Sequence, residues 1–304
     1  MKVFVTGASG FVGRAVLRQL QQAGHSVRIL ARQPSHPRTQ KFTREFGAEI
    51  YAGDVMEGER LAEGLTDVAA VIHLVGIISE TRASTYEKVH TRGTQNMVAA
   101  AQSAGVRRFV QMSALGTRAN AGSRYHRSKW AAEEIVRSSG LDWTIFRPSI
   151  IYGPEDQFVN MFAKMSRYSP VLPIMGSGRS KMQPVPVGDV AKCFVGALTE
   201  PKSIGGTYDL CGPEALSFEE ILDTILRVTG RKRWKPHVPM AMARAQGALL
   251  EFIFPLFGKG PPLNRDQLLM LGEDNVGNPK PADELFGVKP VSFTEGIADY
   301  LRLE

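Results

Sequence analysis

Three glycines at regular spacing, Gly7, Gly10 and Gly13, stand in the run Thr6-Gly7-Ala8-Ser9-Gly10-Phe11-Val12-Gly13. An apolar stretch, Lys2–Val5, precedes them and a helical pattern, Gly10–Gln22, follows. Each glycine there has a backbone task. Gly7 allows a tight turn, Gly10 lets N–H groups approach a pyrophosphate, and Gly13 lets helix and strand pack closely. The helix N-terminus adds unpaired donors and a dipole that hold phosphate charge. With a strand before and a helix after, the loop is expected to bind a dinucleotide. A second pair able to do chemistry is Tyr125 and Lys129. Four residues apart on a helix, they share one face. A free phenol titrates near pH ~10, and a neighbouring ammonium lowers that value by stabilising the phenolate.

The end of the second strand discriminates between dinucleotides. NAD sites usually place an Asp or Glu there to bind the ribose 2′-hydroxyl. This chain has Leu30-Ala31-Arg32-Gln33, with no acid until Glu45. The planar fork of Arg32 suits a 2′-phosphate, so NADP is expected, with NAD as the alternative. Arg14 and Arg38 are candidates to assist. Asp54, after the third strand in Ala52-Gly53-Asp54-Val55, either meets the adenine amino group or caps the following helix.

These side chains need a scaffold, and the first half of the chain supplies one. Lys2–Val5, Ser26–Leu30, Glu49–Ala52, Ala69–Leu74, Arg108–Met112 and Asp142–Phe146 read as buried strands. Helical patterns lie between them at Gly10–Gln22, Thr39–Phe46, Glu57–Gly64, Tyr86–Ser103 and Tyr125–Ser138. Such alternation predicts an α/β fold: a doubly wound parallel sheet of Rossmann type with helices on both faces. After Arg147-Pro148 the rhythm breaks and prolines become dense. Gly206–Leu210 is expected to return to the sheet. Residues 1–150, joined by 183–212, thus form a dinucleotide-binding domain. Residues 151–182 and 213–304 form a smaller, mostly helical lobe that holds substrate.

Composition narrows the setting. The chain of 304 residues is 43% apolar and 22% charged, which excludes disordered and fibrous classes. Thirty-seven basic against thirty acidic residues leave a net charge of +7, favouring anionic partners. Cys193 and Cys211 have no metal-ligand spacing, so neither a disulfide framework nor a metal site is expected. The opening Met1-Lys2-Val3-Phe4-Val5-Thr6-Gly7 leaves no room for a leader, and the apolar run Val68–Ile78 is too short to span a bilayer. A cytoplasmic protein is expected, one that could lie at the inner face of a membrane.

Further motifs carry a resemblance. They include Asp54-Val55, His73-Leu74-Val75-Gly76, Val89-His90-x-x-Gly93-Thr94-x-Asn96 and Val110-x-Met112-Ser113-Ala114-Leu115-Gly116. Tyr125-x-x-x-Lys129, Arg147-Pro148, Ile151-Tyr152-Gly153-Pro154 and Gln183-Pro184-Val185-x-Val187-Gly188-Asp189-Val190-Ala191 complete the set. The chain resembles an extended or atypical short-chain dehydrogenase/reductase, epimerase/dehydratase-like, over essentially its full length. It is most similar to the branch of the complex I nucleotide-binding accessory subunit and its bacterial relatives.

That resemblance implies catalytic roles. Tyr125 would hand a proton to a carbonyl oxygen while nicotinamide supplies hydride, Lys129 would also hold the nicotinamide ribose, and Ser113 would orient the substrate oxygen. It implies a cofactor path from Gly7, Ser9, Gly10, Phe11, Val12 and Gly13 past Arg32, Asp54 and Val55. The path continues along Val75, Gly76, His90 and Met112 to Tyr125 and Lys129, with Pro148, Ser149 and Ile150 against the nicotinamide face. Two departures stand out. His90 occupies the place of an asparagine that relays protons through water, and only twelve residues separate Ser113 from Tyr125.

Two surface features remain. Arg231-Lys232-Arg233-Trp234-Lys235 reads either as a helix-exit charge cluster or as a contact for anionic lipid or nucleic acid. Val238–Phe257, rich in Ala, Leu, Met and Phe, is either core of the smaller lobe or an amphipathic face. The leading reading is an NADP(H)-dependent oxidoreductase acting on a small carbonyl or quinone-type lipophilic substrate, without a nucleic-acid partner. Its alternatives are a non-catalytic NADP(H)-binding protein of a respiratory or membrane assembly, and an NAD-dependent nucleotide-sugar epimerase or dehydratase.

Overall fold

Strand β1 (Lys2–Thr6) has an apolar centre, and Val3, Phe4, Val5 and Thr6 are completely buried. That is what a central parallel strand requires, because helices cover both its faces. In the computed structural model, which describes residues 1–254, 260–261 and 263–301, α1 (Phe11–Gln22) follows and leads to β2 (Ser26–Ala31). Next come α2 (Pro37–Phe46), β3 (Glu49–Ala52), α3 (Leu61–Gly64) and β4 (Ala70–His73). A π-helical segment, Glu87–Arg92, runs directly into α4 (Gly93–Ser103), followed by β5 (Arg108–Met112), α5 (Arg124–Arg137) and β6 (Asp142–Pro148). Short elements then alternate: β7 (Ile151–Tyr152), α6 (Val159–Tyr168), β8 (Ile174–Met175), β9 (Lys181–Met182) and β10 (Val185–Pro186). They lead to α7 (Val187–Gly196), β11 (Gly206–Leu210), β12 (Leu216–Ser217), α8 (Phe218–Val228) and β13 (His237–Val238). The last helices are α9 (Met240–Ile253), α10 (Arg265–Leu271), α11 (Lys280–Phe286) and α12 (Phe293–Leu301).

Seven strands form one parallel sheet in the order β11-β6-β5-β4-β1-β2-β3. All six expected strands and the returning Gly206–Leu210 lie in it. The strand order reverses between β1 and β4, and such a switch point opens a crevice at the carboxyl ends of the strands. One face of the sheet buries Val16, Leu17 and Leu20 of α1 with Phe194 of α7 and Phe286 of α11. The other packs Met97 and Val98 of α4 and Val136 of α5 over Phe4 and Phe109. A separate core joins Phe162 of α6, Phe218, Ile221 and Ile225 of α8, and Phe293 and Ile297 of α12. Ser217 and Glu220 close a capping box at the start of α8. Cys193 and Cys211 are buried thiols, unlinked to each other.

The structure corrects several local expectations. The helix expected over Glu57–Gly64 begins only at Leu61, because Gly58 adopts φ +64°, outside the right-handed region. Val238–Phe257 is not the core of the smaller lobe: on α9 only Ala243 and Gly247 are buried. A Cβ on Gly247 would lie 3.4 Å from Leu268 Cδ1, so small residues face α10 and the bulky ones are left outside. Pro255 and Phe257, at the end of that stretch, lie outside the described residues. The basic run turns largely inward. Arg231 donates to Ala163 O and Ser166 Oγ, Arg233 to Ser166 O, and Lys235 pairs with Asp223 at 2.6 Å. Those cations bind the exit of α6 and the flank of α8, as a helix-exit cluster should. No helix among the described residues is long and apolar enough to cross a membrane.

Candidate active site

The glycine loop has the conformation its spacing demands. Gly7 turns with φ +74°. A Cβ on Gly13 would sit 2.4 Å from Gly7 O and 2.6 Å from Ala8 Cα, so α1 crosses the loop at backbone contact. Gly10 is the N-cap of α1, with no capping side chain and no acid in the first turn. The first N–H groups of α1 are thereby left to an outside acceptor, which an anion satisfies. Phe11, Val12 and Gly13 make that first turn, and the Val12 side chain points into the core.

A cleft of about 660 Å³ starts at this loop and follows the strand ends. Gly7, Ser9 and Gly10 line it at β1, Arg32 and Gln33 at β2, Asp54 and Val55 after β3, and Val75 and Gly76 after β4. Arg32 is exposed and, among the described residues, has no acidic partner. Arg14, by contrast, pairs with Glu155 at 2.5 Å and is drawn away from a phosphate role. Asp54 Oδ1 accepts the Met56 N–H at 3.0 Å, so it caps a turn rather than a helix while still facing the cleft. Asn96 Nδ2 holds Val55 by its carbonyl at 2.7 Å. A cradle that a Cβ would fill, an uncapped helix terminus and an unpaired guanidinium on one elongated cleft all fit a dinucleotide.

The inner end of the cleft meets α5. A Cβ on Gly76 would lie 3.1 Å from Lys129 Nζ and 3.5 Å from His90 Nε2. Lys129 is 3% exposed and donates to Met112 O at 3.2 Å. Burial lowers its ammonium to about 8, against some support from Glu133. The Tyr125 ring packs edge-on against Tyr86, His90 and His126, with centroids 5.8, 5.4 and 5.3 Å away. Burial lifts its phenol to about 12, a correction to the expected lowering by Lys129. Among the described residues no hydrogen bond joins Tyr125 to Lys129 or to Ser113. Ser113, at the end of β5, is buried and donates its backbone N–H to Phe146 O, with Oγ 3.4 Å from Thr117 Oγ1.

His90 is held on both sides. Its Nε2 accepts the Ile77 N–H at 3.0 Å, which places the ring proton on Nδ1, 2.8 Å from Ser128 Oγ. Ser128 Oγ in turn donates to Tyr125 O at 2.7 Å. Both ring nitrogens are thus engaged by protein, and none is left for a relay water. Burial, reinforced by the charge of Lys129, pushes His90 far below its ordinary value and keeps the ring neutral. His73 lies at 2.7 Å from Thr6 Oγ1, and burial lowers it to about 3.

Distant residues complete the surroundings. Glu133, fully buried on α5, takes two bonds from Arg147 and one from Arg137, which fastens α5 to β6. Asp266 of α10 accepts the backbone N–H groups of Arg124 and Tyr125 at 2.7 and 2.8 Å. Asn264 Nδ2 reaches Ile78 O, and Glu80 pairs with Arg124. Pro148 O accepts the Leu115 N–H, while Ser149 Oγ donates to Asn275 Oδ1. Ile150 packs on the core shared by α6, α8 and α12.

Residues 7–201 match a family model described as NAD(P)H-binding. The chain belongs to this NAD(P)H-binding family. A relative within it, NADH dehydrogenase [ubiquinone] 1 alpha subcomplex subunit 9 of Arabidopsis thaliana, is 31% identical over 284 residues, covering 90% of this chain and 70% of the relative. Ceramide reductase of Caulobacter vibrioides is 32% identical over 255 residues, or 82% of this chain and 77% of that one. In fold, UDP-glucuronic acid 4-epimerase of Bacillus cereus superposes with TM-score 0.75 at 19% identity, over 100% of this chain and 99% of that one. The relatives bear out the expected complex I accessory-subunit branch, and the structural likeness bears out the expected fold. Within this NAD(P)H-binding chain, sequence reading missed Tyr86, Ser128, Glu133, Asp266 and Asn275. Tyr86 alone carried a signal, since it lies one turn before His90.

Proposed function

We propose that this protein is an NADP(H)-dependent reductase of a lipophilic carbonyl or quinone-type substrate. The bound dinucleotide supplies hydride. The observation that carries the reading is that Lys129 and His90 meet the Gly76 end of the cleft, with Tyr125 packed on His90 one turn before Lys129 on α5. With its phenol lifted to about 12, Tyr125 holds its proton at neutral pH, and that proton would pass to the substrate oxygen as the oxygen gains charge from hydride transfer. Lys129, whose Nζ lies at the Gly76 end of the cleft, would bind ribose hydroxyls of the cofactor. His90 and Ser128 fix the first turn of α5 and so the direction of the Tyr125 ring. Arg32 supports NADP over NAD, because a planar guanidinium without an acidic partner pairs with a 2′-phosphate. Ceramide is a lipid, and the ceramide reductase relative supports a lipophilic substrate.

The test is NADPH oxidation in the presence of long-chain ketones and quinones, with Tyr125→Phe as control. The variant should lose turnover by at least ~100-fold while binding NADPH as tightly as the parent. Turnover that survives the substitution would defeat the proposal. A second reading draws on the relative that is a complex I subunit. There the chain holds NADP(H) without turnover inside a membrane-bound assembly, and tight NADPH binding without oxidation of any carbonyl or quinone would favour it.

A further inference from the structure

We propose that the outer face of α9 docks this protein onto the surface of an anionic lipid bilayer. Met242, Ala245, Leu249 and Phe252 follow one another by three, four and three residues, so they form a single stripe. Met242 is 63% exposed, Leu249 58% and Phe252 73%. The opposite face, at Ala243 and Gly247, is buried, with Gly247 against α10. The stripe is therefore outside by construction, because the small residues have taken the packed side.

The charges around the stripe select the occupant. Its acids are neutralised locally: Glu251 pairs with Arg265, and Glu80 with Arg124, both at 2.8 Å. Arg244 on α9 is exposed and has no acidic partner among the described residues. An apolar stripe on a helix that carries an unpaired arginine, on a chain of net charge +7, fits acyl chains under anionic headgroups. A second copy of the chain fits less well. From Met242 to Phe252 the helix rises roughly 15 Å, and one such stripe falls short of the ~800 Å² per partner of a stable dimer. Docking stands whether or not the protein is a reductase. One consequence does rest on that reading: α9 packs on α10, and α10 holds the Tyr125 end of α5 through Asp266. The docked helix would thus be linked through α10 to the helix that carries the proton donor.

The experiment is sedimentation of the full chain with vesicles of phosphatidylglycerol and phosphatidylcholine, compared with phosphatidylcholine alone. Wild-type protein should pellet with the anionic vesicles and be released by high salt. The exposed pair Leu249→Glu and Phe252→Glu should cut partitioning by more than about tenfold without changing the melting temperature, while Phe252→Trp retains binding. Arg244→Glu should weaken binding to anionic vesicles specifically. NADPH titration of the same samples reports on the cofactor reading separately. Wild-type protein that stays in the supernatant overturns the proposal, as does a glutamate pair that still pellets. Sedimentation equilibrium showing a dimer that the glutamate pair dissociates would assign the stripe to a second copy instead.

Discussion

Asp266 accepts the backbone N–H of Tyr125 at 2.8 Å across 141 residues of sequence. The same carboxylate takes the Arg124 N–H, so it satisfies two donors at the start of α5 and places negative charge at the positive end of the helix dipole. Asp266→Ala should destabilise the protein by about 1–2 kcal/mol in denaturant melts, with Asp266→Asn in between. As a positioning residue it should also lower kcat for a carbonyl substrate while leaving NADPH affinity alone. An alanine variant with parental stability would show that the clasp is incidental.

On the proposed reading, Arg32 is the residue that would tell the two dinucleotides apart. Its pairing with a 2′-phosphate should favour NADPH over NADH by ten- to a hundredfold, about 1.4–2.8 kcal/mol. Arg32→Ala should bring the two affinities together by weakening NADPH alone, as followed by nicotinamide fluorescence. A parallel loss for both cofactors would remove Arg32 from the discrimination.

Lys129 predicts a pH dependence of stability. Its ammonium titrates at about 8 in the folded chain, against an ordinary 10.5. Below about pH 8 it is charged in both states, and folding carries the cost of burying that charge. Between about 8 and 10.5 the unfolded chain binds more protons than the folded one, so this contribution rises with pH. The whole effect is on the order of 3 kcal/mol. Lys129→Met should therefore be more stable than the parent at pH 7, with the gap closing towards pH 10. A gap that widened with pH would reverse the assignment.

Gly13 and Gly10 should respond differently to the same added methyl group. At Gly13 it meets backbone atoms at 2.4 and 2.6 Å, whereas at Gly10 the nearest atom lies 3.2 Å away. Gly13→Ala must push α1 off the loop, costing about 1–3 kcal/mol and most of the NADPH affinity. Gly10→Ala should be milder in thermal melts. Equal effects would mean that the crossing of α1 over the loop is not what the glycine permits.

The site divides by the range of the interactions that build it. The glycine loop, Arg32, Asp54 and the shared face of Tyr125 and Lys129 were legible because each depends on residues within a turn or two. The environment of Tyr125 was not. The i,i+4 spacing implied a phenol lowered by its lysine, yet the folded site buries that phenol among Tyr86, His90 and His126 and lifts it to about 12. His90 read as a possible water relay until Ile77 and Ser128 were found on its two nitrogens.

By itself the sequence determined the parallel sheet, the helices that cover it and the place of the dinucleotide loop. Backbone dihedrals, apolar period and helix ends are local properties, written in consecutive residues. Only the tertiary structure decided that Asp266 reaches Tyr125, that Glu133 locks α5 to Arg147, and that α9 turns its bulky side outward. Those outcomes depend on which surfaces meet across long stretches of chain. Sequence spacing carries no distance information there, and the small residues at Ala243 and Gly247 won the packed face through their fit against α10.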